Sequence, residues 1–226
     1  MTDEKPKKLC SWVQRPRGHS KTSDHATSLT WLLWASPRRI TGIAAAEDKD
    51  QARLVREQME TIGRNNPWLC DRLDYQRNIV RNRNTGSQLE IISGDVASSW
   101  GHTHDFITCD EFTHWTDQKF WSSLFSTYAK KENCMLSILC NAGIGRGWHW
   151  DVRQMAAKTA NWHFSAPEGS VLASWLTADK IEEQRAGLPR TEFQRLWLNM
   201  WQETGGEFVT LDEAKACRDE RLTRRE

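Results

Sequence analysis

The sequence has almost no net charge, with 31 lysines and arginines set against 30 aspartates and glutamates in 226 residues. This balance excludes global attraction to nucleic acid, so any DNA contact must come from local patches. No apolar run is long enough to span a bilayer. The opening stretch, MTDEKPKK, lacks the apolar segment of a secretory leader. A soluble, intracellular protein with no membrane partner is the expectation. Internal repeats and low-complexity linkers are absent, and no cysteine pair has CxxC spacing. Cys10, Cys70, Cys109, Cys134, Cys140 and Cys217 are scattered, several within apolar segments, and read as free thiols in a reduced compartment. The length suits one α/β domain with a small appendage. What the chain has in excess is tryptophan, 13 residues in all. These read as core and surface packing, since stacking on DNA bases needs an exposure that sequence does not reveal.

Hydrophobic periodicity alternates between strand and helix. Leu9 to Gln14 reads as a strand, and Arg15-Pro16-Arg17-Gly18-His19-Ser20 as a loop no helix tolerates. From Lys21 an apolar stripe of Ala26, Leu29, Leu32 and Leu33 predicts a helix that Pro37 stops. Ile40 to Ala46 predicts a strand, and Asp48 to Ile62 an amphipathic helix bracketed by Gly63 and Pro67. Tyr75 to Arg83 and Gln88 to Ser93 read as a hairpin around Asn84-Thr85-Gly86. A short strand, Phe106 to Cys109, precedes a helix carrying Phe120, Leu124 and Tyr128. Met135 to Cys140 is a strongly apolar strand, Trp150 to Ala160 a helix, and Trp162 to Phe164 another strand. Capping-box spacing at Thr191 and again at Thr210 predicts helices through Trp201 and toward the C-terminus. This alternation argues for a largely parallel sheet flanked by helices.

Three strand ends carry chemistry. The loop from Arg15 to Thr22 lies between a strand and a helix, where backbone amides and a helix N-terminus can cradle a phosphate. Lys21 suits the β/γ phosphates, the Thr22 hydroxyl suits Mg²⁺, and Gly18 allows close backbone approach. Arg15 and Ser20 stand where the strict G-x-x-x-x-G-K-[ST] pattern has glycines, so a basic turn capping a helix is the competing reading. Asp110-Glu111 closes an apolar strand about 90 residues beyond Lys21; Asp110 can organise Mg²⁺ while Glu111 polarises an attacking water. Asn141-Ala142-Gly143 ends the strand after that, where an amide can sense a γ-phosphate, although Asn and Gly also simply build turns. In open parallel sheets ligands sit beyond the carboxyl ends of strands, and the ordered trio is worth more than its parts.

These segments resemble the large terminase subunits of tailed viruses. RPRGHSKTSD is similar to that family's variant P-loops, which carry an arginine near the front. ITGIAAAEDKDQARLV is similar to its second strand and helix, SSWGHTHDFITCDEFTHW to its Walker B region, and LSILCNAG to its coupling motif. The stretch from Asn161 to Thr210 resembles the region after the ATPase core. The resemblance implies a P-loop NTPase of the additional-strand (ASCE) type with a small C-terminal helical extension. Residues 1–165 would form the ATPase core and 166–226 a linking subdomain. It further implies ATP and Mg²⁺ as cofactors, hydrolysis that drives double-stranded DNA into a prohead, and a homo-oligomeric ring. Portal protein and a small terminase subunit would be its partners, and the host cytoplasm its location. By position, Gly18, His19, Ser20, Lys21, Thr22, Asn141 and Gly143 would contact nucleotide, Thr22 and Asp110 the metal. Glu111 would be the catalytic base, with Lys21 and Arg15 or Arg17 assisting.

Two departures accompany the resemblance. The family usually carries an adenine-contacting glutamine well upstream of the P-loop, and Gln14 is too close to take that role, which leaves the adenine pocket incomplete in expectation. The family also normally continues into an RNase H-like nuclease, so genome cutting is not assigned to this chain. The spacing of His102, His104, Cys109 and His114 matches no common zinc site. Arg146 and Arg153, weighed as arginine fingers, read better as solvated. The basic tail at Arg218, Arg221, Arg224 and Arg225 reads as a solvated helix face. A nucleotide-binding scaffold without turnover and another helicase-like P-loop ATPase remain as alternatives.

Overall fold

The computed structural model describes residues 8–94, 103–169, 171, 173–203 and 217. In chain order its elements are β1 (Cys10–Gln14), α1 (Lys21–Ala35), β2 (Thr41–Ala46), α2 (Lys49–Asn65), α3 (Pro67–Cys70), β3 (Leu73–Tyr75), β4 (Ile79–Asn82) and β5 (Gln88–Ser93). Next come β6 (Phe106–Cys109), a 3₁₀ turn (Phe112–His114), α4 (Gln118–Tyr128), β7 (Met135–Cys140), α5 (Trp148–Lys158), β8 (Trp162–Ser165), α6 (Ala178–Gly187) and α7 (Arg190–Trp197). The strands form one eight-stranded sheet in the order β3-β4-β5-β2-β6-β7-β1-β8. From β5 to β8 every pair is parallel, and only β4 runs against its neighbours.

Strands of a parallel sheet are covered on both faces, which is why they read as near-continuous apolar runs. Ile43 and Ala45 of β2, with Ile107 and Cys109 of β6, face a core built with Trp121 and Leu124 of α4 and Val152 and Ala156 of α5. Ala44 and Ala46, one residue out of phase, face the opposite core with Leu29 and Leu33 of α1 and Val55 and Met59 of α2. Helix α2 starts where Asp48 accepts hydrogen bonds from the Asp50 and Gln51 amides. Trp12 fills the centre of the first core, stacked on Phe164 and edge-on to Phe112. Trp115, Trp121 and Trp162 are also buried, whereas Trp31, Trp68 and Trp175 are exposed. Cys10, Cys109, Cys134 and Cys140 are buried free thiols. No helix among the described residues is long and apolar enough to cross a membrane.

The structure corrects several boundaries. The strand expected from Tyr75 to Arg83 is two strands, because the Gln76 amide bonds to the Ile79 carbonyl and the chain reverses there. Helix α7 begins after Pro189 without a side-chain cap, so Thr191 lies inside the helix and the capping box does not form. It ends before Trp201 because Asn199 is left-handed (φ 56), its side-chain amide donating to the carbonyls of Gln14 and Pro167. Helix α6 buries none of its residues, so it offered no apolar stripe to read. Arg153, expected in solvent, is largely buried: its Nε donates to Gln14 Oε1 and its guanidinium lies over Phe164 and Trp201. The helix expected from Thr210, the basic tail and His102 lie outside the described residues.

Gly42 on β2 lies directly under the Phe106 ring of β6, where an added Cβ would sit 2.1 Å from the ring. Phe106 is buried and cannot swing aside without repacking. Gly42→Ala is therefore expected to cost about 1–3 kcal/mol in urea unfolding. An unchanged midpoint would show that the ring has room the structure does not display.

Candidate functional site

The loop after β1 is shaped by two left-handed residues, Gly18 (φ 75) and Ser20 (φ 53), the second being the residue before α1. Left-handed backbone at serine is uncommon and turns successive amides inward. Helix α1 has no side-chain cap, unlike α2, α4 and α6, which are capped by Asp48, Asp117 and Thr177. Its first-turn amides and the positive end of its dipole are thus left for an anion.

Strand β7 lies between β1 and β6, so the three chemical strand ends are neighbours. Lys21 is buried, and its Nζ donates to Asn141 Oδ1 at 3.1 Å and pairs with Glu111 Oε1 at 3.5 Å. Asn141 in turn donates from Nδ2 to the Arg15 carbonyl at 2.9 Å, and the Arg15 amide donates to the Cys140 carbonyl at 3.0 Å. The Thr113 hydroxyl donates to the Asn141 carbonyl. One lysine therefore joins all three tips.

The acidic pair is strained in two senses. Asp110 is buried, and desolvation followed by repulsion from Glu111 pushes its pKa up to about 6, against the opposing hydrogen bond from the Glu111 amide and the charge of Lys21. Glu111 has left-handed backbone (φ 45), and its Oε2 is buried with no hydrogen-bond partner. Behind the pair, His25 of α1 meets Thr108 of β6 at 2.7 Å. Burial lowers the His25 pKa to about 4, so this joint is neutral at physiological pH.

Arg17, Gly18, His19, Ser20, Lys21, Thr22, Glu111 and Asn141 line one cavity of about 270 Å³. Other residues expected at the site sit elsewhere. The guanidinium of Arg15 turns away to pair with Asp24, and Asp110 lies beneath the cavity rather than on its wall. Gly143 is covered by Trp201, whose ring an added Cβ would approach to 2.6 Å. The cavity also includes His114 and Leu196, which sequence reasoning did not place there. Leu196 reaches it because the Arg17 amide donates to its carbonyl at 2.6 Å. Next to it, Arg195 has a buried, unpartnered Nε; burial lowers its pKa, and it feels the charges of Glu192, Arg17 and Glu111. No motif surrounds Arg195, so only the docking of α7 could have revealed it.

Thr22 on the cavity wall and the Asp110 carboxylate beneath it are hard oxygen donors of the kind Mg²⁺ takes, and among the described residues no cluster of three or more His, Cys, Asp or Glu side chains could hold an ion alone. Mg²⁺ characteristically takes one or two protein oxygens and completes its shell with phosphates and water.

The architecture has solved counterparts. The crystal structure of the bacteriophage HK97 large terminase superposes with a TM-score of 0.73 at 15% identity, covering 86% of this chain and 47% of that one. The fold is that of phage large-terminase ATPase domains. The terminase ATPase domain of Thermus phage P74-26 superposes with a TM-score of 0.64 at 16% identity, covering 87% of this chain and 90% of that domain. The large terminase of a thermophilic bacteriophage in complex with ADP gives 0.66 at 13% identity, covering 86% of this chain and 49% of that one. This chain thus spans about half the length of the full-length large terminases it matches. No family model and no curated protein matches the sequence. The cavity lies beyond the carboxyl ends of β1, β6 and β7, where open parallel sheets place their ligands.

A carboxylate held above its ordinary pKa opposes folding while it is ionised, and that penalty fades as pH falls through 6 toward the unfolded value. Without nucleotide, Asp110→Asn is therefore expected to stabilise the chain at pH 8 by up to about 2–3 kcal/mol. The gain should shrink by pH 5. Thermal melts at the two pH values check this, and a destabilised or pH-independent variant would contradict it.

Proposed function

We propose that the chain is an ATP-hydrolysing motor domain of a viral terminase large subunit, working with Mg²⁺ to drive double-stranded DNA into a prohead. The observation that carries this reading is the convergence of Lys21, Glu111 and Asn141 at one uncapped helix N-terminus. In this reading the loop amides and Lys21 hold the β and γ phosphates, the Thr22 hydroxyl would hold Mg²⁺, and Asp110, beneath the cavity, would hold it indirectly. The metal supplies charge neutralisation at the transferred phosphoryl group. Glu111 takes the proton of the attacking water on Oε2, the oxygen that has no partner, while Oε1 is held toward Lys21. Its left-handed backbone keeps the carboxylate in place before substrate arrives. Arg17, on the cavity wall, is the better P-loop arginine for developing phosphate charge, because Arg15 is neutralised by Asp24. Asn141, bonded to both Lys21 and the Arg15 carbonyl, registers whether a γ-phosphate is present.

The proposed setting is a homo-oligomeric ring on a portal, with a small terminase subunit delivering DNA in the host cytoplasm. Support for that setting comes from the fold and from the resemblance of the three motifs. The fold alone is shared by the HK97 and P74-26 terminases.

Substitution separates the roles. Glu111→Gln should keep ATP affinity within a few-fold and lower phosphate release by roughly 10² or more. Lys21→Ala should lower affinity itself. Stopped turnover with intact binding in the first variant and lost binding in the second support the proposal. Undiminished hydrolysis in both would refute the assignment, and binding without any wild-type turnover, with DNA present, would favour a scaffold.

A further inference from the structure

Resting on the nucleotide reading above, we infer that the nucleobase is received by a second cavity beside the phosphate loop, with the indole face of Trp175 as its stacking platform. This cavity, of about 510 Å³, is lined by Arg15, Pro16, His19, Ser20, Asp24, Ser165, Pro167 and Ala173 to Trp175. It shares His19 and Ser20 with the phosphate cavity, so the two adjoin. Together the two volumes fall in the range of small-ligand sites.

Trp175 is the one tryptophan among the described residues of this wall. Its side chain is 58% exposed, in a chain that buries several of its other tryptophans. Yet it is fixed in place, since Nε1 donates to the Gly18 carbonyl at 2.9 Å. The segment carrying it is pinned again by His19, whose Nε2 accepts from the Ala173 amide at 3.2 Å while Nδ1 faces the Arg17 carbonyl at 2.9 Å. Leu176 packs against Gly18 as well. An aromatic ring held rigid and left open to solvent at the edge of a phosphate loop has the character of a stacking surface. Pro16 and Pro167 supply apolar walls, and the Ser165 and Ser174 hydroxyls supply polar edges. This places base recognition after β8 and in the loop before α6, rather than upstream of the P-loop.

The test compares Mg²⁺-ATP with Mg²⁺-tripolyphosphate, which carries the phosphates and no base, by titration calorimetry on the whole chain. Trp175→Ala should weaken ATP on the order of tenfold and leave tripolyphosphate unchanged. Trp175→Phe keeps a ring but loses the bond to Gly18, and should stay within about threefold of wild type. Equal losses for both ligands in Trp175→Ala would mean that Trp175 only braces the loop, and unchanged ATP affinity would mean that the base binds elsewhere. Either result overturns the base pocket while leaving the phosphate site standing. Failure of the wild type to bind either ligand would sink the nucleotide reading and the base pocket together.

Discussion

A buried ammonium is the constraint on which the rest of this structure depends. Only 7% of the Lys21 side chain is exposed, and a lysine taken out of water needs partners that replace hydration. Its own loop, although it has backbone carbonyls and the Ser20 hydroxyl, does not supply the Asn141 and Glu111 partners. They come instead from the ends of β6 and β7, as the Glu111 carboxylate and the Asn141 amide. The sheet order that makes β7 the neighbour of both β1 and β6 is what brings those ends within reach. The same lysine and the uncapped start of α1 make a cavity that favours a polyanion.

The segment after α7 is built onto the same tips. Gln14, the last residue of β1, exchanges hydrogen bonds with Asn199, donating from Nε2 to its carbonyl while the Asn199 amide donates back. Beyond β7, Gln202 donates to the Gly143 carbonyl, Gly145 donates to the Gln202 carbonyl, and Trp201 covers Gly143. The strand end that carries Asn141 and the chain leaving α7 are therefore one hydrogen-bonded unit.

Legibility in the sequence followed locality. Parallel strands covered on both faces left unbroken apolar runs such as Ile43 to Ala46, and the strand ends bearing Lys21, Asp110 and Asn141 followed from them. What escaped depended on distant partners. Arg153 reads as a surface residue until Gln14 and three aromatic rings are seen to enclose it. Thr191 has the spacing of a capping box, but the chain enters α7 at Pro189 and leaves the box unused. Arg15 and Arg17 are equivalent by position, and what sets them apart is the Asp24 carboxylate that holds Arg15 and the cavity wall that includes Arg17. Leu196 and Trp175 carry no signal at all, since their places at the loop come from tertiary hydrogen bonds to Arg17 and Gly18.

The most direct measurement is a crystal structure of the chain with Mg²⁺ and a non-hydrolysable ATP analogue. The account predicts a terminal phosphate bonded to Lys21 Nζ, with Asn141 turned toward it and Glu111 facing the in-line water. A triphosphate bound away from the meeting point of β1, β6 and β7, or bound there with Lys21 still engaged only by Asn141 and Glu111, would contradict it.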